Sequence, residues 1–141
     1  SGHFDLVEND DVDVKKLDVL LQPIKKGETV VLNNVFFKFD SFELSDDSKA
    51  ELNRVERFLS KNPGLTVEIA GHTDNRGNMA YNKQLSENRA KAVYDYLVSR
   101  QIPEQRLGFS GYGAQKPVAT NNNELGRAQN RRTEMVIVEI K

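Results

Sequence analysis

Two polar residues intrude on the apolar stripe of a helix, and they are where chemistry can happen. With Leu85 at zero on a wheel turning ~100° per residue, Ala92, Tyr96, Val93 and Leu97 share an arc of roughly 140°. Arg89 falls near ~40° and Asn82 near ~60°, inside that arc. An arginine stays charged and costs several kcal/mol to bury unpaired, so Arg89 needs an acceptor unless it snorkels past its neighbours to water. Asp74, in the turn before this helix, is the nearest candidate. A carboxylate facing a guanidinium with the Asn82 amide between them makes a receptor for a zwitterion. Asp74 would hold an ammonium and Arg89 a carboxylate, through charge-assisted hydrogen bonds. The same pair could equally be an internal salt bridge that fixes the turn.

Hydrolytic chemistry finds less support. His72 and Asp74 make a His-x-Asp pair, but the other histidine is His3, and catalytic zinc needs a third ligand. His72 reads more simply as a polar residue at a strand end. Asp74 and Glu87 are carboxylates of the glycosidase type, yet Arg89 beside them would hold Asp74 ionised. Glu68 reads as a solvated residue on an exposed strand face. Cysteine is absent, which removes disulfides, thiolate metal sites and a cysteine nucleophile. No enzyme, metal or cofactor is expected.

The balance of 20 Lys and Arg against 21 Asp and Glu argues against nucleic acid, whose binding draws on a basic excess. A small or zwitterionic ligand fits better. No apolar run reaches the ~18–20 residues needed to cross a bilayer, so no membrane insertion is expected. No secretory h-region opens the sequence, and Ser1-Gly2 reads as a cloning remnant.

The chain of 141 residues suits one compact domain with a short attached segment. Residues 1–27 are acidic at first, offer one strand-like piece (Leu17 to Leu21) and end in Lys25-Lys26-Gly27. They read as a linker or the end of an upstream module. The domain itself spans residues 28–141. Residues 29–39, rich in Val and Phe, predict a strand. Ser45 is a helix N-cap with Asp46 and Asp47 in the first turn; Leu52, Val55 and Leu59 keep helical spacing until Asn62-Pro63-Gly64. Leu65, Val67 and Ile69 alternate as a half-buried strand. The polar turn from His72 to Asn78 leads into the second helix, ending near Arg100. A strand around Leu107 to Gly111, a short helix over 124–130 and a last strand over 135–140 complete the order. That order, βαβαβ(α)β, predicts an α+β fold: one mixed four-stranded sheet with helices packed on one face.

The motifs are similar to those of a known family. Gly71-His72-Thr73-Asp74-Asn75-Arg76-Gly77, Tyr81-Asn82 and Leu85-Ser86-Glu87-Asn88-Arg89-Ala90 resemble the signature of the OmpA C-terminal domain family. Gly111-Tyr112-Gly113, Pro117, Gly126-Arg127 and Asn130-Arg131-Arg132 continue the resemblance in order, as does Phe37 to Asp40 upstream. It covers residues 29–140. The family includes the peptidoglycan-associated lipoprotein and the wall-binding part of flagellar stators. The resemblance implies non-covalent binding of peptidoglycan through the meso-diaminopimelate of its stem peptide, with other envelope proteins as further partners. It also implies a place in the periplasm, against the outer membrane and wall of a Gram-negative bacterium. By motif, Asp74 would take the diaminopimelate ammonium and Arg89 its carboxylate, with Asn82 and Thr73 adding polar contacts. Arg76 would sit at the rim, and Phe39 and Asp40 would bring the loop after the first strand. Arg131 would be a further contact, with Arg132 as the alternative register. Residues 17–37 are similar to what precedes this domain in longer Bacteroidetes envelope proteins, some of the type IX secretion machinery.

Overall fold

The computed structural model describes residues 24–141, so the strand-like piece at 17–21 lies outside the described residues. Four strands, β1 (Thr29–Val31), β2 (Leu65–His72), β3 (Leu107–Gly111) and β4 (Arg132–Ile140), form one sheet in the order β1-β4-β2-β3. β4 runs antiparallel to both β1 and β2, whereas β2 and β3 are parallel. A parallel pair needs a long crossover, and the helix α2 (Met79–Ser99) supplies it. Helix α1 (Asp46–Lys61) joins β1 to β2, and the short α3 (Glu124–Asn130) precedes β4. The mixed sheet and element order agree with the α+β reading of the sequence.

Every second strand residue supplies one apolar face. Val67 and Ile69 from β2, Leu107 from β3, and Met135 and Ile137 from β4 meet Leu52, Val55, Phe58 and Leu59 of α1 and Val93 and Leu97 of α2. Ser45 caps α1 as its residue type predicts, its Oγ accepting from the Ser48 amide at 3.1 Å.

Two elements differ from the sequence reading. The strand expected over 29–39 stops at Val31. Beyond it, Leu32 and Val35 turn into the core, and the Phe36 amide and carbonyl both bond the Ser48 hydroxyl, at 2.7 and 3.0 Å. Leu32, Val35 and the Phe36 backbone thus anchor a loop to the core and to α1 instead of extending a ladder. The last strand starts at Arg132, three residues earlier than read, because polar pairing across the sheet places Arg132 opposite His72.

The wheel for α2 also shifts. Its buried line is Asn82, Ser86, Ala90, Val93 and Leu97, which leaves Leu85 and Arg89 on one flank. The cause is close backbone contact. A Cβ on Gly71 would lie 2.3 Å from the Ser86 carbonyl oxygen, and one on Gly111 only 2.2 Å from the Glu87 amide nitrogen. Glycines at the ends of β2 and β3 therefore let the N-terminal half of α2 settle directly on the sheet. That contact sets where Asn82 and Arg89 stand.

Candidate ligand-binding cleft

A cleft of about 840 Å³ opens where the loop after β1, the turn after β2, the start of α2 and the end of α3 converge. All eight residues predicted from sequence line it: Phe39, Asp40, Thr73, Asp74, Arg76, Asn82, Arg89 and Arg131. They come from four separate stretches of the chain.

Asp74 follows directly on β2 and is only 8% exposed. Its Oδ1 accepts from the Arg76 amide at 2.9 Å, an Asx turn that holds the carboxylate toward the cleft. The turn is closed by Asn82, whose amide donates to the Arg76 carbonyl at 2.7 Å, and by Gly77 at φ +90°. Asn82 is thus spoken for by the backbone, and so is Thr73, whose hydroxyl donates to the Asp74 carbonyl at 2.8 Å. Arg76 is exposed at the rim.

Asp74 and Arg89 line one cleft but form no ion pair with each other among the described residues, so the internal salt bridge is not what the structure contains. Asp74 Oδ2 pairs instead with Arg131, whose Nη1 lies 2.7 Å away, while Arg131 Nη2 reaches Glu124 at 2.7 Å. These two carboxylates, Glu124 foremost, raise the Arg131 pKa above its ordinary value. Arg89 turns to the loop after β1. Its Nε donates to the Ser41 carbonyl at 2.8 Å and its Nη2 to that of Lys38 at 3.2 Å, with the Phe37 ring 5.1 Å from its guanidinium carbon. Burial lowers its pKa, against the opposing charge of Asp40. Main-chain carbonyls carry no net charge, so they satisfy the guanidinium geometrically and leave its charge to Asp40 and to whatever enters the cleft. Nη1 has no hydrogen-bond partner among the described residues.

The loop itself turns at Asp40, whose φ of +60° is left-handed. Its tip exposes Phe39 almost completely, at 97%. Both arginines of the final pair line the cleft, with different partners. Arg131 faces Asp74, whereas Arg132 is buried against Glu134 at 2.7 Å and donates to the carbonyls of Asn130 and Lys116.

Residues 36–131 match the OmpA family, about two thirds of the chain. The chain belongs to the OmpA family. A peptidoglycan-associated lipoprotein of Rhizobium meliloti is 40% identical over 105 residues, covering 74% of this chain and 60% of that protein. Among solved structures, the peptidoglycan-associated lipoprotein from Burkholderia pseudomallei superposes with a TM-score of 0.66 at 35% identity, over 72% of this chain and 86% of that one. The cell wall anchor of the T6SS from Pseudomonas aeruginosa gives a TM-score of 0.68 at 33% identity, over 79% of each chain. This chain spans between 14% and 60% of the length of three curated relatives it matches.

Within the OmpA domain, several residues matter to the cleft that sequence reasoning passed over. Glu124 stands seven positions, two helical turns, before Arg131 and so shares its face, a spacing that could have marked it. Phe37, read as a strand residue, lies beneath Arg89. His72 ends β2 as expected but is buried, with Nε2 3.2 Å from Glu134 and its ring stacked on Tyr112 at 5.3 Å. Glu134 is drawn down to about pKa 2: burial pushes it upward most strongly, yet hydrogen bonds from His72 and Arg132 and their charges together prevail. Glu68 is not merely solvated, since it accepts from the hydroxyls of Ser110 at 2.8 Å and Tyr112 at 3.0 Å. Among the described residues no group of three or more His, Cys, Asp or Glu could hold a metal ion, and no helix is long and apolar enough to cross a membrane. Glu87, the other half of the imagined glycosidase pair, is not among the cleft residues.

Proposed function

We propose that this domain binds peptidoglycan non-covalently through the meso-diaminopimelate of the stem peptide, and that it does so without catalysis. The carrying observation is the charge layout of one cleft. A nearly buried carboxylate, Asp74, and a half-buried guanidinium, Arg89, both line it, and Arg89 is satisfied chiefly by neutral carbonyls. The free end of diaminopimelate carries an ammonium and a carboxylate on one carbon, and a two-charge receptor matches both. Asp74 takes the ammonium; the free N–H groups of Arg89, on Nη1 and Nη2, take the carboxylate. Arg131 and Arg76 add contacts on the Asp74 side, while Phe39 and Asp40 form the wall on the other. Thr73 and Asn82 act by holding the turn that carries Asp74.

In this reading residues 1–27 link the domain to an upstream part of a longer envelope protein, and 28–141 tether that protein to the wall from the periplasm. Its relatives carry names that support the anchor role: peptidoglycan-associated lipoproteins and a cell wall anchor. A second reading, a docking module for another envelope protein, draws on one observation. Phe36, Phe39 and Phe42 are all more than half exposed along the loop at the cleft rim.

Co-sedimentation with purified sacculi separates these readings. The domain should pellet with sacculi and release no soluble muropeptides. Asp74→Asn and Arg89→Gln should each stay in the supernatant, whereas Lys91→Ala, at an exposed residue paired with Asp95, should pellet as before. Wild-type protein left in the supernatant would defeat the wall-anchor reading, and released muropeptides would make the domain an enzyme.

A further inference from the structure

Arg131 is shared between two carboxylates, and the sharing has a consequence for what Asp74 can accept. An arginine with one carboxylate to itself tends to close on it with two parallel N–H···O bonds. Here only Nη1 reaches Asp74, at 2.7 Å, because Nη2 is drawn 2.7 Å to Glu124 on the first turn of α3. We propose that Glu124 is a positioning residue for cation recognition: by holding one edge of the Arg131 guanidinium, it keeps that arginine from closing on Asp74 and leaves Asp74 open to a ligand ammonium. This rests on the reading that Asp74 receives an ammonium.

The local charges point the same way. Glu124 also meets Arg127 at 3.3 Å, and Arg127 is tethered to the Asn121 carbonyl at 3.0 Å. Glu124 therefore bridges two guanidiniums, one of which, Arg131, it shares with Asp74. Without Glu124, the Arg131 charge would be set against Asp74 alone, and an incoming ammonium would meet a neutralised carboxylate. Glu124 is itself held ionised, its pKa lowered first by the hydrogen bond from Arg131 and further by Arg127, so the charge is present throughout the neutral range. Glu124 and Arg131 both line the cleft, so the ligand approaches Asp74 past this bridge.

Glu124→Gln keeps the shape and the acceptor oxygen while removing the charge. Wild type and variant are titrated calorimetrically with two stem tripeptides, one with the free diaminopimelate amine and one with that amine acetylated. The wild type should prefer the free amine. Glu124→Gln should bind the free-amine peptide roughly 3- to 10-fold more weakly, the size expected of a hydrated charge one residue removed, and the acetylated peptide as before. Its melting temperature should not move. Unchanged affinity for the free-amine peptide would overturn the proposal. Equal weakening for both peptides would overturn it too, since Glu124 would then only shape the cleft. A wild type without preference for the free amine would overturn the underlying reading, and this proposal with it.

Discussion

Diaminopimelate and lysine share a side-chain ammonium, but only diaminopimelate carries a carboxylate beside it, so exchanging one for the other isolates what Arg89 reads. The structure limits how much that exchange can cost. Nε–H and one hydrogen of Nη2 of Arg89 are engaged by the Ser41 and Lys38 carbonyls, which leaves both hydrogens of Nη1 and the second of Nη2 for a ligand. The lost interaction is therefore at least one charge-assisted hydrogen bond, roughly 1.5–3 kcal/mol, and two at most if the carboxylate spans Nη1 and Nη2. No further penalty for a stranded charge applies, because both carbonyls, the Phe37 ring and the Asp40 charge stay in place. The lysine peptide should bind at least roughly 10- to 150-fold more weakly. Amidation of the same carboxylate keeps an acceptor oxygen and removes the charge, so its loss should be intermediate. Calorimetric titration of matched stem peptides tests the order, and Arg89→Gln supplies the control. That variant loosens the loop and weakens binding generally, but it should also bring the diaminopimelate-to-lysine ratio close to one. Equal wild-type affinities, or an unchanged ratio in Arg89→Gln, would show that Arg89 does not select the ligand.

Energetic coupling should follow the observed pairs rather than the expected one. In denaturant melts, Asp74→Asn and Arg131→Gln should be non-additive by roughly 0.5–1.5 kcal/mol, discounted because the Arg131 side chain is 40% exposed. Asp74→Asn and Arg89→Gln should add within about 0.5 kcal/mol; strong coupling there would contradict the geometry. Acid should weaken the fold through Glu134, whose folded pKa of about 2 lies below the ~4.3 of an unfolded glutamate. Its contribution is complete above that unfolded value and is lost as pH falls toward 2, about 1–3 kcal/mol after allowing for partial hydration. Urea melts of wild type and Glu134→Gln between pH 5 and pH 2, a range spanning ~2 and ~4.3, should show the wild-type advantage disappearing on acidification. A constant difference would rule out this linkage.

Local periodicity was enough for most of the fold. The Ser45 cap, the break at Asn62-Pro63-Gly64 and the alternation of Leu65, Val67 and Ile69 each concern neighbours in the chain, and the structure reproduces them. The strand read over 29–39 failed because apolar content does not say what backbone carries it: Leu32 and Val35 are buried from a loop bonded to Ser48, while Phe36 and Phe39 of the same stretch are exposed.

For the cleft, the sequence determined the cast but not the pairing. Residue type says that Asp74 and Arg89 are charged, and helical spacing puts Arg89 inside an apolar stripe that it in fact flanks. Which carboxylate meets which guanidinium depends on contacts 48 to 57 residues apart along the chain, such as Arg89 to Ser41 and Arg131 to Asp74. Those contacts are settled by how closely α2 approaches Gly71 and Gly111 and by the loop turning back at Asp40. Neither leaves a periodic trace, because a charge takes its partner from whatever the packing of the sheet and helices brings within about 3 Å of it.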